Sequence, residues 1–489
     1  MMNIVDLIFE RHHGPEMAVI SPDGSLSYAG LHARVLETEH ALRRDASWPT
    51  HAKRPRIGLH APSGPDYIVL ALAILKAGAC FVPIPSELTA SEQAELIQRT
   101  SLHAVLRAKN ADDWQLEAVE PSEETHAKAQ RRKGSQRLSD LCAFAPLRET
   151  HLDSMSLEVP EAFDSLNAAF IRFSSGTTAR SKGVVISHET LIARITAANE
   201  ALRIGTADRV LWVLPMAHHF AVSIILYLYH GSTTILAPAS DPAVMLRLMR
   251  EHGATVMYGS PYHYTLLASQ PDAAAMRQLR LAVSTAFALS QEVADLFHSK
   301  TGLHLTQGMG IIEAGLPLLN LEHAATRPTS VGKPTPSFEV KLDEGELLLR
   351  GPGLFDAYLS PWQPRDEVLR DGWFPTGDIA EIDDTGSLFL KGRVRSVINV
   401  GGMKCFPEEV EAILTSHPSV KAARVLARPH AALGFVPVAE VIAETGTEST
   451  LAAELKKLCQ QRLSAYKVPL LFTFVSELPL TASGKVRRY

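Results

Sequence analysis

FIRFSSGTTARSKGVVISH, Phe170 to His188, sets a loop of hydroxyl side chains, two glycines and two cations between two β-forming runs, Phe170–Phe173 and Val184–Ile186. Glycine lets backbone amides approach a phosphate closely, hydroxyls donate hydrogen bonds to its oxygens, and Lys182 adds a point charge. The same composition suits a flexible surface turn, so the loop alone leaves both readings open. The Walker pattern GxxxxGK[ST] does not fit. Five residues separate Gly176 from Lys182, no glycine precedes that lysine, and Gly183 stands where a magnesium-binding hydroxyl belongs. This argues against a P-loop kinase or ATPase.

Outward from the loop, the chain alternates short β-rich runs with helical ones: RIGLHA from Arg56, DYIVLALAILKAG ending on Gly78, then CFVPIP from Cys80. That alternation predicts layered α/β structure around a largely parallel sheet. The polar stretch from Ala111 to Gln136 reads as an exposed excursion, and its basic cluster Arg131 to Lys133 as solvated surface. Near residue 392 the pattern changes, after a DDTG turn signal between two strand-like runs. Beyond it, EEVEAILTS reads as a helix, VKAARVLA as a strand and ELKKLCQQRLSAY as an amphipathic helix, enough for a small second domain. The expected division is 1–393 and 394–489.

A length of 489 residues suits two or more domains, and 46% hydrophobic with 21% charged residues suits a globular protein. A net charge of -5 and a pI near 6.5 give no electrostatic argument for nucleic acid or anionic membranes. No apolar run approaches the roughly 18 residues of a membrane span, and the N-terminal residues lack a signal-peptide pattern. Cys80, Cys142, Cys405 and Cys459 are far apart with no CxxC pair, which reads as buried free thiols in a reducing cytoplasm rather than a zinc site.

Ser174–Gly183 resembles the phosphate loop of the adenylate-forming superfamily, the acyl-CoA synthetases, luciferases and peptide-synthetase adenylation domains, usually written [ST]SGTTGxPKG. The resemblance continues in order through QGMGIIEAG (Gln307–Gly315), PTGD (Pro375–Asp378), GRVRSVINVGGMKCFPEEVE (Gly392–Glu411) and LPLTASGK (Leu478–Lys485). It covers nearly the whole chain. It implies a large N-terminal domain of layered sheets and helices, with a small α+β C-terminal domain that rotates about a hinge.

The roles below are what that resemblance implies. Ser174, Ser175, Gly176, Thr177, Thr178 and Lys182 would cradle the β- and γ-phosphates of ATP, with Ala179 and Ser181 replacing the usual glycine and proline. Glu313 would hold Mg2+, Met309 and Gly310 would lie along the adenine, and Ile312 replaces a threonine near the α-phosphate. Asp378 would accept from both ribose hydroxyls, assisted by Arg393; a purely structural salt bridge between these two is the alternative. Arg395 falls at the hinge. Lys485 would stabilise charge as the acid attacks the α-phosphorus, and Gly401 and Gly402 would line the tunnel for a pantetheine arm. Losing a donor such as Lys485 commonly costs about 10²–10³ in rate.

LPMAHHFAVS (Leu214–Ser223) matches the segment guarding the acyl pocket, with His218 at its gating position. It has no aspartate to pair a substrate ammonium, which favours a carboxylic acid without an α-amino group. Ala286 and Phe287, with Thr285, replace smaller residues and are expected to reshape the acyl pocket towards an aryl or medium-sized apolar acid. The acceptor is CoA, or a carrier protein's phosphopantetheine. The readings are therefore an acid–CoA ligase acting through acyl-AMP, a free-standing enzyme that loads a carrier protein, and a catalytically weakened nucleotide-binding protein.

Overall fold

The computed structural model describes residues 2–119, 161–173, 182–400, 403–430, 433–444 and 448–479. Two large sheets face each other across one extensive core. The first has eight strands in the spatial order Gln363–Pro364, Ala357–Tyr358, Gly183–Ser187, Ala168–Phe173, Cys80–Pro83, Arg56–His60, Ala104–Ala108 and Trp114–Ala118. Its centre is parallel, and the pair flanking the phosphate-type loop is antiparallel. The second has nine, in the order Lys333–Pro334, Gly315–Leu319, Thr306–Ile311, Leu281–Ser284, Val256–Gly259, Arg209–Trp212, Thr233–Leu236, Met17–Ser21 and Gly24–Ser27. Strands from Met17 through Thr306 pair in parallel, and both edges turn antiparallel.

The helix Pro65–Lys76 shows why these layers form. Every residue from Tyr67 to Leu75 is buried, so the segment is apolar on all sides and stable only inside a layered core. Proline stands in its first turn, and Gly78, at φ +75°, takes the left-handed conformation that ends it. The helix His188–Leu202 follows the loop strands directly, with the Ser187 hydroxyl accepting from the Thr190 amide at 3.1 Å. Asp356 accepts from Ser187 N at 2.6 Å and from the Thr190 hydroxyl at 2.9 Å, which ties this helix start to the strand Ala357–Tyr358.

A four-stranded antiparallel sheet, in the order Glu339–Asp343, Glu346–Arg350, Phe374–Ile382 and Leu388–Arg393, follows. The DDTG signal is a tight turn here: Asp383 accepts from the amides of Thr385 at 2.9 Å and Ser387 at 3.0 Å. From Ile398 onward the strands belong to another sheet, built on Val420–His430 and Gly434–Ala443, and pack with the helices Pro407–Thr415 and Glu448–Arg462 around a separate core. The chain is thus mixed α/β with a large N-terminal and a small C-terminal part.

Two expectations need correction. The stretch from Ala111 is not wholly an excursion, because Trp114–Ala118 pairs as an edge strand with Ala104–Ala108 and buries Leu116. One inward leucine and one antiparallel partner suffice where charged neighbours face solvent. The amphipathic helix ends at Arg462 rather than running to Tyr466; Ser464 is extended and a short 3₁₀ turn follows. Arg131–Lys133 and Cys142 lie outside the described residues. Cys80, Cys405 and Cys459 are buried free thiols, and burial pushes the Cys80 pKa up to about 12. Among the described residues no helix is long and apolar enough to cross a membrane.

Candidate active site

Lys182, the last residue of the loop before its second strand, places its Nζ 4.1 Å from the centre of the Tyr358 ring. The strand register explains the meeting, since Tyr358 pairs with Val184, two residues beyond the lysine. On its other end the Tyr358 hydroxyl donates to Glu313 Oε1 at 3.1 Å. Glu313 sits in the turn joining Thr306–Ile311 to Gly315–Leu319 of the nine-stranded sheet. One tyrosine therefore joins the phosphate-type loop of the first sheet to the carboxylate turn of the second. Among the described residues Glu313 Oε2 accepts no hydrogen bond, which suits a hard cation shared with phosphate oxygens. Tyr358→Phe keeps the ring under Lys182 and removes only the hydroxyl. It is expected to raise the KM for MgATP about tenfold, the equivalent of one hydrogen bond to a charged group, and a magnesium titration at fixed ATP checks it.

The turn is also fixed from behind. Arg194, on the helix His188–Leu202, is 1% exposed and points under the Glu313 turn. It donates to the carbonyls of Ile312 (2.8 Å), Glu313 (3.0 Å) and Gly353 (2.8 and 3.0 Å). Burial lowers its pKa to about 10, opposed by Asp356 and Glu313, so it stays charged at neutral pH. A guanidinium spanning three carbonyls uses its rigid fork as lysine could not.

Asp378 and Arg393 are register partners on adjacent strands, and Arg393 Nε lies 2.9 Å from Asp378 Oδ1. Asp378 is buried and Arg393 exposed, so the pair presents its cation outward. Met309 is buried in the main core and Gly310 beside it is exposed. Ile312 packs against the core while Arg194 holds its carbonyl. Ala286 holds φ at +71°, a left-handed conformation that favours glycine, so the backbone keeps a glycine-type course with a methyl group on it. Phe287 is 47% exposed.

His218, in the short helix Met216–His219, turns its Nε2 onto Glu87 Oε1 at 2.6 Å, while its neighbour His219 sets its ring edge-on to Trp212. The His218 carbonyl accepts from Arg172, which lies two residues before the loop. Burial lowers the Arg172 pKa to about 10, and the Glu313 carboxylate is close enough to oppose that shift. Glu87, Arg172, Arg194 and Tyr358 are site residues that motif reading misses. The signal for the two arginines was present: each is a lone cation in an otherwise apolar run, AAFIRF and LIARITAA. Ser174 to Ser181, Gly401, Gly402, Lys485 and the Arg395 side chain lie outside what the structure describes.

Residues 9–359 match the family model for AMP-binding enzymes, and residues 409–485 match that for the AMP-binding enzyme C-terminal domain. The chain belongs to the AMP-binding enzyme family. It is 28% identical to a feruloyl-CoA synthase of an Amycolatopsis species over 480 residues, covering 94% of this chain and 92% of that protein. With the 2-succinylbenzoate–CoA ligase of Listeria monocytogenes it shares 30% identity over 71% of this chain and 74% of the ligase. The fold is similar to that of ATP-bound MatB from Rhodopseudomonas palustris, with a TM-score of 0.79 at 24% identity, over 99% of this chain and 97% of that one.

Proposed function

We propose that this protein uses ATP to activate a carboxylic acid as its acyl-adenylate, releasing pyrophosphate, and then transfers the acyl group to the thiol of CoA. The observation that carries the reading is the junction at Tyr358. It sets Lys182 and the Glu313 carboxylate on one side chain, as a triphosphate with its counter-ion requires. Membership of the AMP-binding enzyme family and CoA-ligase relatives matched over most of their length support the same chemistry.

In this reading the loop from Ser174 to Lys182 grips the β- and γ-phosphates through hydroxyls, backbone amides and the lysine charge. Glu313 is the hard oxygen donor for magnesium, which when bound neutralises charge on those phosphates. Asp378 accepts from the ribose hydroxyls, with Arg393 at 2.9 Å holding its carboxylate in place. Gly310 leaves the adenine edge open beside Met309. Lys485 draws the acid and the α-phosphate together, two anions that otherwise repel. The chain divides after Arg393. The C-terminal part, turning about Arg395, brings Lys485 in for the first step and Gly401 and Gly402 in for the second.

The acid is aryl or of medium size and apolar. Supporting this, Leu214, Met216, Ala217, Phe220 and Ala221 of the acyl segment are all buried apolar residues and no carboxylate stands among them. Pyrophosphate release measured across cinnamates, benzoates and medium-chain fatty acids, followed by mass spectrometry of CoA thioesters, tests both steps. Release with at least one acid and a CoA thioester of that acid are expected. Absence of release with every acid would overturn the reading, and a thioester on a holo carrier protein but not on CoA would move the acceptor.

A further inference from the structure

We propose that Glu87 and His218 form an acid–base dyad that removes the proton of the incoming thiol, with His218 as the base and Glu87 as its positioning residue. The proposal rests on the acyl-transfer reading above and adds a proton acceptor to its second step.

The geometry has the parts such a dyad needs. Glu87 follows the strand Cys80–Pro83, in a turn closed by the Leu88 amide on the Pro85 carbonyl at 3.3 Å, and Gln93 donates to the Leu88 carbonyl at 3.0 Å. Its carboxylate thus comes from a fixed turn. The bond to His218 holds the Glu87 pKa below the usual carboxylate range, so the group is ionised at neutral pH and acts only as an acceptor. His218 Nε2 therefore carries the hydrogen at 2.6 Å, which leaves the lone pair of the neutral ring on Nδ1. Nδ1 makes no hydrogen bond among the described residues. The His218 side chain keeps 16% of its surface exposed.

Placement ties the base to the acyl segment, beside the strand that leads into the phosphate-type loop. Arg172 holds the His218 carbonyl from two residues before the phosphate-type loop and lies within the field of Glu313. His218 is thus tethered to the strand Ala168–Phe173, two residues short of the phosphate-type loop. Among the described residues, the charged groups bonded to it are Glu87 across the ring and Arg172 behind its carbonyl. Tyr67, whose buried hydroxyl has no hydrogen-bond partner among the described residues, lies within electrostatic reach of both.

The step balances without another reagent. The thiol proton passes to His218 Nδ1 as sulfur attacks the acyl carbon of the adenylate. The carbon–oxygen bond to AMP breaks, AMP leaves with the electron pair, and the imidazolium, stabilised by Glu87, returns its proton to water.

Single-turnover transfer to CoA is measured across pH in the full-length protein, starting from acyl-adenylate of the fastest acid in the screen above. Glu87→Gln is expected to slow transfer about 10²-fold or more. The loss should fall on the maximal rate of transfer more than on the CoA concentration that half-saturates it. Capture of supplied acyl-adenylate by hydroxylamine, an amine already unprotonated at neutral pH, should fall far less than transfer to CoA. His218→Ala should slow transfer at least as much and regain part of the rate with added imidazole. A transfer profile in Glu87→Gln that matches the unaltered protein in rate and pH dependence would overturn the dyad. So would equal losses in hydroxylamine capture and transfer to CoA in both variants. Failure of the unaltered protein to release pyrophosphate with any acid would instead overturn the function it rests on.

Discussion

Lys485→Ala is expected to lower acid-dependent pyrophosphate exchange by about 10²–10³-fold while leaving ATP binding largely intact. The difference follows from what each group faces. In the proposed site the triphosphate is held by the loop ending at Lys182 and by Glu313, which the Tyr358 hydroxyl fixes at 3.1 Å, and none of these depends on Lys485. The acid and the α-phosphate, by contrast, approach each other as two anions, and a mobile ammonium placed between them acts mainly in the transition state. Loss of that group lowers rate more than nucleotide affinity. Transfer from supplied acyl-adenylate to CoA should be much less affected, because the phosphoryl step is then already complete. Lys485→Arg should recover part of the exchange by keeping the charge. Exchange unchanged in Lys485→Ala would remove the lysine from the mechanism, and a parallel loss of ATP binding would give it a structural role.

The layers were legible because their code is local. Alternating β-rich and helical runs gave the parallel centre, and an all-apolar segment such as Tyr67–Leu75 has no stable place but a buried layer. The site was legible as an ordered set of short motifs, and Asp378 beside Arg393 shows how such a motif becomes geometry: the two are register partners across one antiparallel pair. What stayed hidden depends on contacts between distant segments. Nothing near Tyr358 announces that its ring meets Lys182 and its hydroxyl meets Glu313, since three separate strands must first take their register. Glu87 reads as one more loop acid until the fold brings His218 to 2.6 Å. The edge strand Trp114–Ala118 was missed for a related reason: its pattern is too polar to stand out, and its partner Ala104–Ala108 supplies the ordering. Ala286 is a different case. Bulk was legible there, but the left-handed φ of +71° shows a substitution placed on a glycine-type backbone rather than a backbone rebuilt around it.

Arg194→Met is expected to destabilise the protein by about 3–5 kcal/mol, because it leaves buried carbonyls without donors. That is a large share of the roughly 5–15 kcal/mol that holds a typical domain together. The carbonyls left without a donor among the described residues are those of Ile312 and Gly353, while the Glu313 carbonyl keeps the Phe355 amide at 2.8 Å, so the loss falls on the two sides of the turn that carries the proposed metal carboxylate. Gly353 shows how closely the guanidinium's helix is seated. Its φ is +73°, and an added Cβ would lie 2.4 Å from Arg194 Cβ and 2.5 Å from Arg194 Cα, so nothing larger than glycine fits without moving the helix. Arg194→Lys keeps the charge but offers one donor centre where the fork had three nitrogens, and should lie between the two in thermal stability. The functional readout separates positioning from general instability. Well below its unfolding temperature, Arg194→Lys should need more magnesium for half-maximal pyrophosphate release, whereas a distant core substitution of equal stability loss should not. If the magnesium requirement and the melting temperature of both Arg194 variants match those of the unaltered protein, the arginine does not set the Glu313 turn, and the strand register with the Phe355 amide and the Tyr358 hydroxyl must hold it.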